Sequence, residues 1–176
     1  IAPVLCHMAE DIWQNIPYPI QEESVFMRGW PEIDQNWRFP SLNPSVIKIR
    51  ELRTSVNRLL ESCRSNNLLG SSLEAAVRID VQDNTFADAI DWLHQEGDRS
   101  VDVLRDWLLV SHCQIGGEPW AEIFISEQTD CGVIEIAKAR GGKCDRCWHF
   151  ETNTGSNSNK ENICDRCFKI MSEINN

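Results

Sequence analysis

Cys144-Asp145-Arg146-Cys147 and Cys164-Asp165-Arg166-Cys167 are two identical tetrapeptides separated by sixteen residues near the end of a 176-residue chain. Two residues between thiols let both sulfurs of one turn point at the same centre, and a second such turn completes a tetrahedral S₄ site with Zn–S distances of about 2.3 Å. All four positions are filled by cysteine, so the spacing predicts a closed, structural zinc site on Cys144, Cys147, Cys164 and Cys167. A catalytic zinc needs an open position for water or substrate. A thioredoxin-like dithiol needs one such pair inside a βαβ unit, and two pairs outside any such unit fit ligands better. His149 lies close to Cys147 but is not needed as a fifth donor, and is expected at the surface or beside the ligands. So short a tail cannot build its own core. Metal binding is therefore expected to supply most of its folding free energy, on the order of 10 to 16 kcal/mol, and zinc removal is expected to unfold the tail alone.

The rest of the cysteine count agrees with a reducing compartment rather than a disulfide framework. Cys6, Cys63, Cys113 and Cys131 are scattered singly through apolar segments, where a free cysteine acts as a small buried hydrophobe. No run approaches the roughly 18 to 20 apolar residues of a membrane span, and Ile1-Ala2-Pro3-Val4 lacks the basic start of a signal peptide. Opening on Ile1 rather than Met, the chain is expected to be a piece of a longer polypeptide.

The net charge of -10 opposes a surface that coats nucleic acid throughout. Lys138 to Lys169, however, holds seven basic and four acidic residues, against ten basic and 23 acidic elsewhere. Four thiolates around one Zn²⁺ add -2 to that tail, leaving it near +1. Any nucleic-acid contact is therefore local. Trp148 follows the first knuckle directly, and either packs on the zinc loop or stacks on an unpaired base. Arg146 and Arg166 hold equivalent places in the two knuckles, where each contacts phosphate or braces the surroundings of the sulfurs.

Upstream, Leu5, Met8, Ala9, Ile12, Trp13 and Ile16 share one face of a helix running from Pro3 to Ile16, which Pro17 and Pro19 stop. Glu22 to Pro40 has no clean period and reads as an ordered loop pinned by Trp30 and Trp37. A second helix, Ser45 to about Arg64, carries a buried stripe of Ile49, Leu52, Val56, Leu59, Leu60 and Cys63, ending at Asn66, Asn67 and Gly70. Arg50, Arg53, Asn57 and Arg64 fall within about 60° of one another beside that stripe. They either contact phosphate or form a solvated flank that Glu61 partly neutralises.

After Gly70 the period changes to two, with Leu73, Ala75, Val77, Ile79 and Val81 alternating with more polar neighbours, a half-buried strand. Short helices are predicted over Phe86 to Gln95, capped by Asn84 or Thr85, and over Val101 to Trp107, capped by Ser100. Further strands are predicted over Leu108 to Ile115, Ala121 to Ser126 and Val133 to Ala139. The fold class is α+β: the end of a helical bundle over 1–68, a junction unit with a small antiparallel sheet over 69–139, and a Cys₄ zinc finger over 140–176. Asn153 to Asn162 reads as a loop tip. No phosphate-binding glycine loop, serine nucleophile elbow or recommended carboxylate pair appears, so no catalytic residue is assigned.

Met8-Ala9-Glu10-Asp11-Ile12-Trp13, Glu23-Ser24-Val25-Phe26 with Trp30-Pro31-Glu32, Arg53-Thr54-Ser55-Val56-Asn57, Leu69-Gly70-Ser71-Ser72-Leu73-Glu74-Ala75 and the terminal cysteine pairs with Lys143 and Trp148 resemble, in that order, bacterial-type isoleucyl-tRNA synthetases. The resemblance implies a class I aminoacyl-tRNA synthetase, monomeric at full length, that joins isoleucine to its tRNA with ATP and clears misactivated valine. Its ATP-binding catalytic domain and its editing domain would precede Ile1, so this part is expected to bind the anticodon side of tRNA(Ile) and not to aminoacylate by itself. Arg50, Arg53, Arg64, Arg146, Trp148 and Arg166 are the expected tRNA contacts. The expected compartment is bacterial cytoplasm or an organelle, with no membrane partner. Two other classes compete. One is a zinc-ribbon DNA-binding module like the finger of formamidopyrimidine-DNA glycosylases, which leaves the first 137 residues unexplained. The other is a protein-interaction scaffold that binds no tRNA.

Overall fold

In the computed structural model, residues 1–38, 40–96, 102–156 and 162–174 are described. They form two compact units, Ile1–Pro40 and Ser41–Asn176.

The first unit is built on helix α1, Cys6–Gln14. Residues before it form a turn, with the Val4 and Leu5 amides both bonded to the Ile1 carbonyl, so the helix is shorter than its apolar period suggests. Polar side chains of α1 organise the segment that follows. Glu10 accepts from Ser24 Oγ at 2.8 Å and from the Val25 amide at 3.2 Å. Gln14 donates to the Glu23 carbonyl at 2.6 Å, and Trp13 Nε1 to the Glu22 carbonyl at 3.0 Å. The expected aromatic pins do not hold the loop, since Trp30 and Trp37 are 83% and 71% exposed. The apolar stripe of α1 is present, but Ala9 is its buried member, while Leu5, Met8 and Ile12 remain about half exposed. Cys6 is exposed as well, unlike the buried cysteine expected there.

The second unit begins with the 23-residue helix α2, Asn43–Ser65. Each member of its predicted stripe, Ile49 through Cys63, is no more than 1% exposed. Strand β1, Ala75–Val81, follows, then helices α3, Asn84–Glu96, and α4, Val103–Leu108. Strands β2, His112–Ile115, β3, Ile125–Gln128, and β4, Gly132–Lys138, complete a four-stranded sheet in the order β2-β1-β4-β3. β4 pairs antiparallel with both β1 and β3, whereas β1 and β2 run parallel. Two helices separate β1 from β2, and a crossover of that length returns the chain in the same direction. Val77 and Ile79 of β1 and Ile134 and Ile136 of β4 share one core with α2, with Phe86, Ala89, Ile90 and Leu93 of α3, and with Leu104 and Leu108 of α4. Arg58 of α2 pairs with Glu127 of β3, binding the helix to the sheet edge.

Element ends follow local polar chemistry that the apolar pattern does not record. Asp83, rather than Asn84 or Thr85, caps α3 by accepting from the Thr85 and Phe86 amides. Asp102 caps α4 by accepting from Arg105 N; Ser100, Val101 and residues 157–161 of the loop tip lie outside the described residues. Leu109 closes α4 in the left-handed region at φ 55°, which delays β2 from the expected Leu108 to His112. Residues 116–124 do not supply a strand. Gly117 and Trp120 of this segment reach Arg78 and Glu135 on the sheet face opposite the helices.

β1 is not half-buried as expected, because Arg78 on this second face is buried too. Ala75 through Ile79 are all buried. On that face Arg78 stands directly across from Glu135, with Nε and Nη2 donating to its carboxylate at 2.7 and 2.8 Å. Arg78 Nη1 donates to the Gly117 carbonyl, and the Trp120 amide reaches Glu135 at 3.5 Å. The Arg78 bond holds the Glu135 carboxyl below the usual glutamate range, against burial, which pushes it up. Removing one partner of a buried pair leaves an uncompensated charge and costs about 3 to 5 kcal/mol. Glu135→Gln is therefore expected to lower the unfolding free energy measured in urea by that much at pH 7. In the parent chain this stabilisation is complete above the ordinary glutamate pKa and disappears as pH falls through the depressed folded value. The variant's urea stability, followed by circular dichroism, should lack this acid-dependent component, and an unfolding free energy within about 1 kcal/mol of the parent would rule the pair out as a fold determinant.

Candidate metal centre

The finger grows out of the end of β4. Gly141 sits at φ 97°, where a Cβ would meet the Glu151 carbonyl oxygen at 2.2 Å, so only glycine fits that approach. Strands β5, Gly142–Lys143, and β6, Phe150–Glu151, pair antiparallel and carry the first knuckle between them. The second knuckle leads into helix α5, Asp165–Ile174.

The four Sγ atoms of Cys144, Cys147, Cys164 and Cys167 lie within 4.8 Å of one another. Cys147 Sγ and Cys164 Sγ are 3.8 Å apart, the edge of a tetrahedron whose centre is about 2.3 Å from each corner. The donor set therefore fits one structural zinc. Cys144, Cys164 and Cys167 are buried and Cys147 is half-buried. The Cys164 amide donates to Cys144 Sγ at 3.4 Å. Burial pushes the Cys144 thiol up, but the amides of Cys147, Cys164 and Arg146 outweigh it and hold it at about 6. Zinc adds a divalent charge that keeps coordinated sulfurs as thiolates. His149 stays outside this cluster. Burial, then the nearby Arg105 and Arg166, depress its pKa.

The other expected site residues divide by what already engages them. Arg50 is exposed and Arg53 half-buried on α2, and among the described residues neither joins an ion pair. Arg64 is paired with Glu61 at 2.7 Å. Arg146 Nη1 lies 3.7 Å from Cys167 Sγ, and Arg166 is exposed on the first turn of α5. Trp148 does not pack on the zinc loop. It is 61% exposed, with Lys143 Nζ 5.6 Å from its ring centroid. Its φ is 65°, a region that a bulky side chain occupies at a cost and glycine does not.

Three residues that spacing did not single out join the finger to the sheet unit. Ser111, fully buried, donates from Oγ to the Leu73 carbonyl and accepts from the Phe150 amide at 2.7 Å. Arg105, whose side chain is 11% exposed, donates to Glu151 at 2.8 Å and to the Ser111 carbonyl at 3.2 Å. No sequence motif marks Ser111, Arg105 and Glu151, because they meet only through the fold.

Residues 1–79 match a family model described as the anticodon-binding domain of tRNA ligase. Residues 141–170 match one described as a zinc finger found in FPG and IleRS. The isoleucine–tRNA ligase of Prochlorococcus marinus strain NATL1A is 58% identical over 174 residues, covering 99% of this chain. The chain matches the C-terminal region of bacterial isoleucine–tRNA ligases. The ligase of Synechococcus sp. strain CC9311 is 56% identical over 171 residues, and that of Prochlorococcus marinus strain MIT 9312 is 43% identical over 171. The chain spans 18% of the length of these isoleucine–tRNA ligases. Among the described residues no helix is long and apolar enough to cross a membrane.

Chelating the zinc is expected to open the finger while the sheet unit, with its own core, persists. Alkylation read by mass spectrometry should then label Cys144, Cys147, Cys164 and Cys167 but spare Cys63 and Cys131, which are 1% and 2% exposed. Equal labelling of all six would show that the two parts unfold together.

Proposed function

We propose that this chain is the tRNA-gripping C-terminal part of an isoleucine–tRNA ligase and that it binds the anticodon side of tRNA(Ile). In this reading the complete enzyme, a monomer, joins isoleucine to its tRNA with ATP, and the present residues supply no catalytic group. Residues 1–68 end a helical anticodon-binding unit, 69–139 form the junction, and 140–176 are the finger. The working place is bacterial cytoplasm, in keeping with the cyanobacterial relatives, or an organelle.

The observation that carries the reading is the exposed Trp148 ring, held outward beside Lys143 on a zinc-stapled knuckle that Ser111 and Arg105 fix to the sheet. An aromatic face on a rigid base stacks an unpaired anticodon-loop base, and a neighbouring lysine meets the phosphate. Arg50 and Arg53, which join no ion pair among the described residues, are the α2 groups best placed to meet backbone phosphate. Arg64, Arg146 and Arg166 retain further N–H donors beyond those already engaged. A net charge of -10 confines the contact to such local patches.

The finger alone is shared with DNA glycosylases, but the anticodon-binding match over 1–79 and the identity along 174 residues favour tRNA over damaged duplex DNA. In a gel-shift competition at fixed salt, tRNA(Ile) is expected to displace the labelled complex better than other tRNAs or lesion-containing duplex. Trp148→Ala should weaken binding by about 1 to 3 kcal/mol. Arg50→Gln and Arg53→Gln should each reduce the salt slope by about 1. The proposal is abandoned if Arg50, Arg53, Trp148 and Arg166 substitutions, made with zinc retained, leave tRNA affinity unchanged.

A further inference from the structure

The six residues that join the sheet to the first knuckle carry three cations, Lys138, Arg140 and Lys143, and no carboxylate. All three are exposed, and among the described residues none joins an ion pair. Their backbone is held by neighbouring elements. Lys138 ends β4 opposite Ala75, the Ala139 amide donates to the Glu74 carbonyl at 2.7 Å, and His112 Nε2 donates to the Arg140 carbonyl at 3.3 Å. Lys143 of β5 pairs with Phe150 of β6. Ala139 is buried between two exposed neighbours, so Lys138 and Arg140 leave the extended chain on the same side, roughly 6.6 Å apart. Gly141 and Gly142 place no side chain between Arg140 and Lys143. Lys143 Nζ then stands 5.6 Å from the centroid of the Trp148 ring.

We propose that Lys138, Arg140 and Lys143 form a phosphate track that leads an RNA backbone along the end of β4 to the Trp148 ring. The track rests on the RNA-binding reading above and adds a second kind of contact to it. A chain of net charge -10 repels a polyanion over most of its surface, so phosphates settle where cations without carboxylate partners stand on a fixed backbone. An acidic protein segment would satisfy the same charges, but it has no base to lay on the aromatic face at the end of the track. The two contacts differ in what they report. Cations on phosphate release counterions and set the salt dependence of binding, whereas stacking is not ionic. Phosphates are alike in every tRNA, so the track adds affinity without choosing among them.

The test uses the zinc-loaded 176-residue chain, with tRNA(Ile) and a second tRNA as probes, in about 50 to 200 mM salt. Lys138→Gln with Arg140→Gln is expected to make log K against log salt shallower by about 1.4 to 1.8, twice the roughly 0.7 to 0.9 of each lost phosphate contact. Both tRNAs should weaken by the same factor. Lys138→Arg with Arg140→Lys is expected to keep the parent slope, and Trp148→Ala to lower affinity at an unchanged slope. Lys169→Gln, which removes an exposed charge from α5, should match the parent. A parent-like slope in the double glutamine variant, with one zinc still bound, overturns the track and leaves the tRNA reading intact. A slope loss in Lys169→Gln as large per charge overturns it too, because net charge alone would then be acting. A parent chain that binds neither tRNA at any salt removes the RNA-binding reading and the track together.

Discussion

Four cysteine sulfurs brought within 4.8 Å of one another are the constraint on which the C-terminal part of this molecule depends. Without a cation, that arrangement crowds buried thiols together and leaves the tail no reason to fold. With zinc at the centre it becomes the tail's core, replacing the apolar side chains that a segment this short cannot collect. Everything the finger presents outward follows from that centre. Trp148 is held in a left-handed conformation because its amide bonds the Cys144 carbonyl at 2.8 Å within the knuckle. Lys143 stands beside its ring because β5 runs into the first ligand.

The finger is not an independent bead on a tether. The Ser111 hydroxyl links the Leu73 carbonyl to the Phe150 amide, and Arg105 joins Ser111 to Glu151. These bonds tie the knuckle that bears Trp148 to the sheet, and the proposed role of that ring requires such a fixed base. Through β1, the same sheet carries the Arg78–Glu135 pair, which holds Gly117 and Trp120 beside it.

The first unit shows the opposite situation. Its helix has an amphipathic pattern and a network of polar contacts to the following segment, yet Leu5, Met8 and Ile12 stay about half exposed. Polar bonds determine its local shape while its apolar face remains largely open. The matched relatives are much longer than this chain, which spans 18% of them.

The sequence by itself determined the zinc ligands, the long α2 stripe and the α+β class, because each rests on a local repeat: two residues between thiols, 3.6 residues per helical turn, two per strand. The family resemblance was also legible, since short motifs in a fixed order need no fold to be read. Only the tertiary structure decided that Arg78 is buried against Glu135, that Gly117 and Trp120 reach that pair, that Arg146 lies against Cys167, and that Ser111, Arg105 and Glu151 make a joint. Those contacts unite groups that are 21 to 57 positions apart in sequence or depend on which way a long side chain turns. Periodicity records which face of an element is apolar. It cannot record what another part of the chain later lays across the polar face.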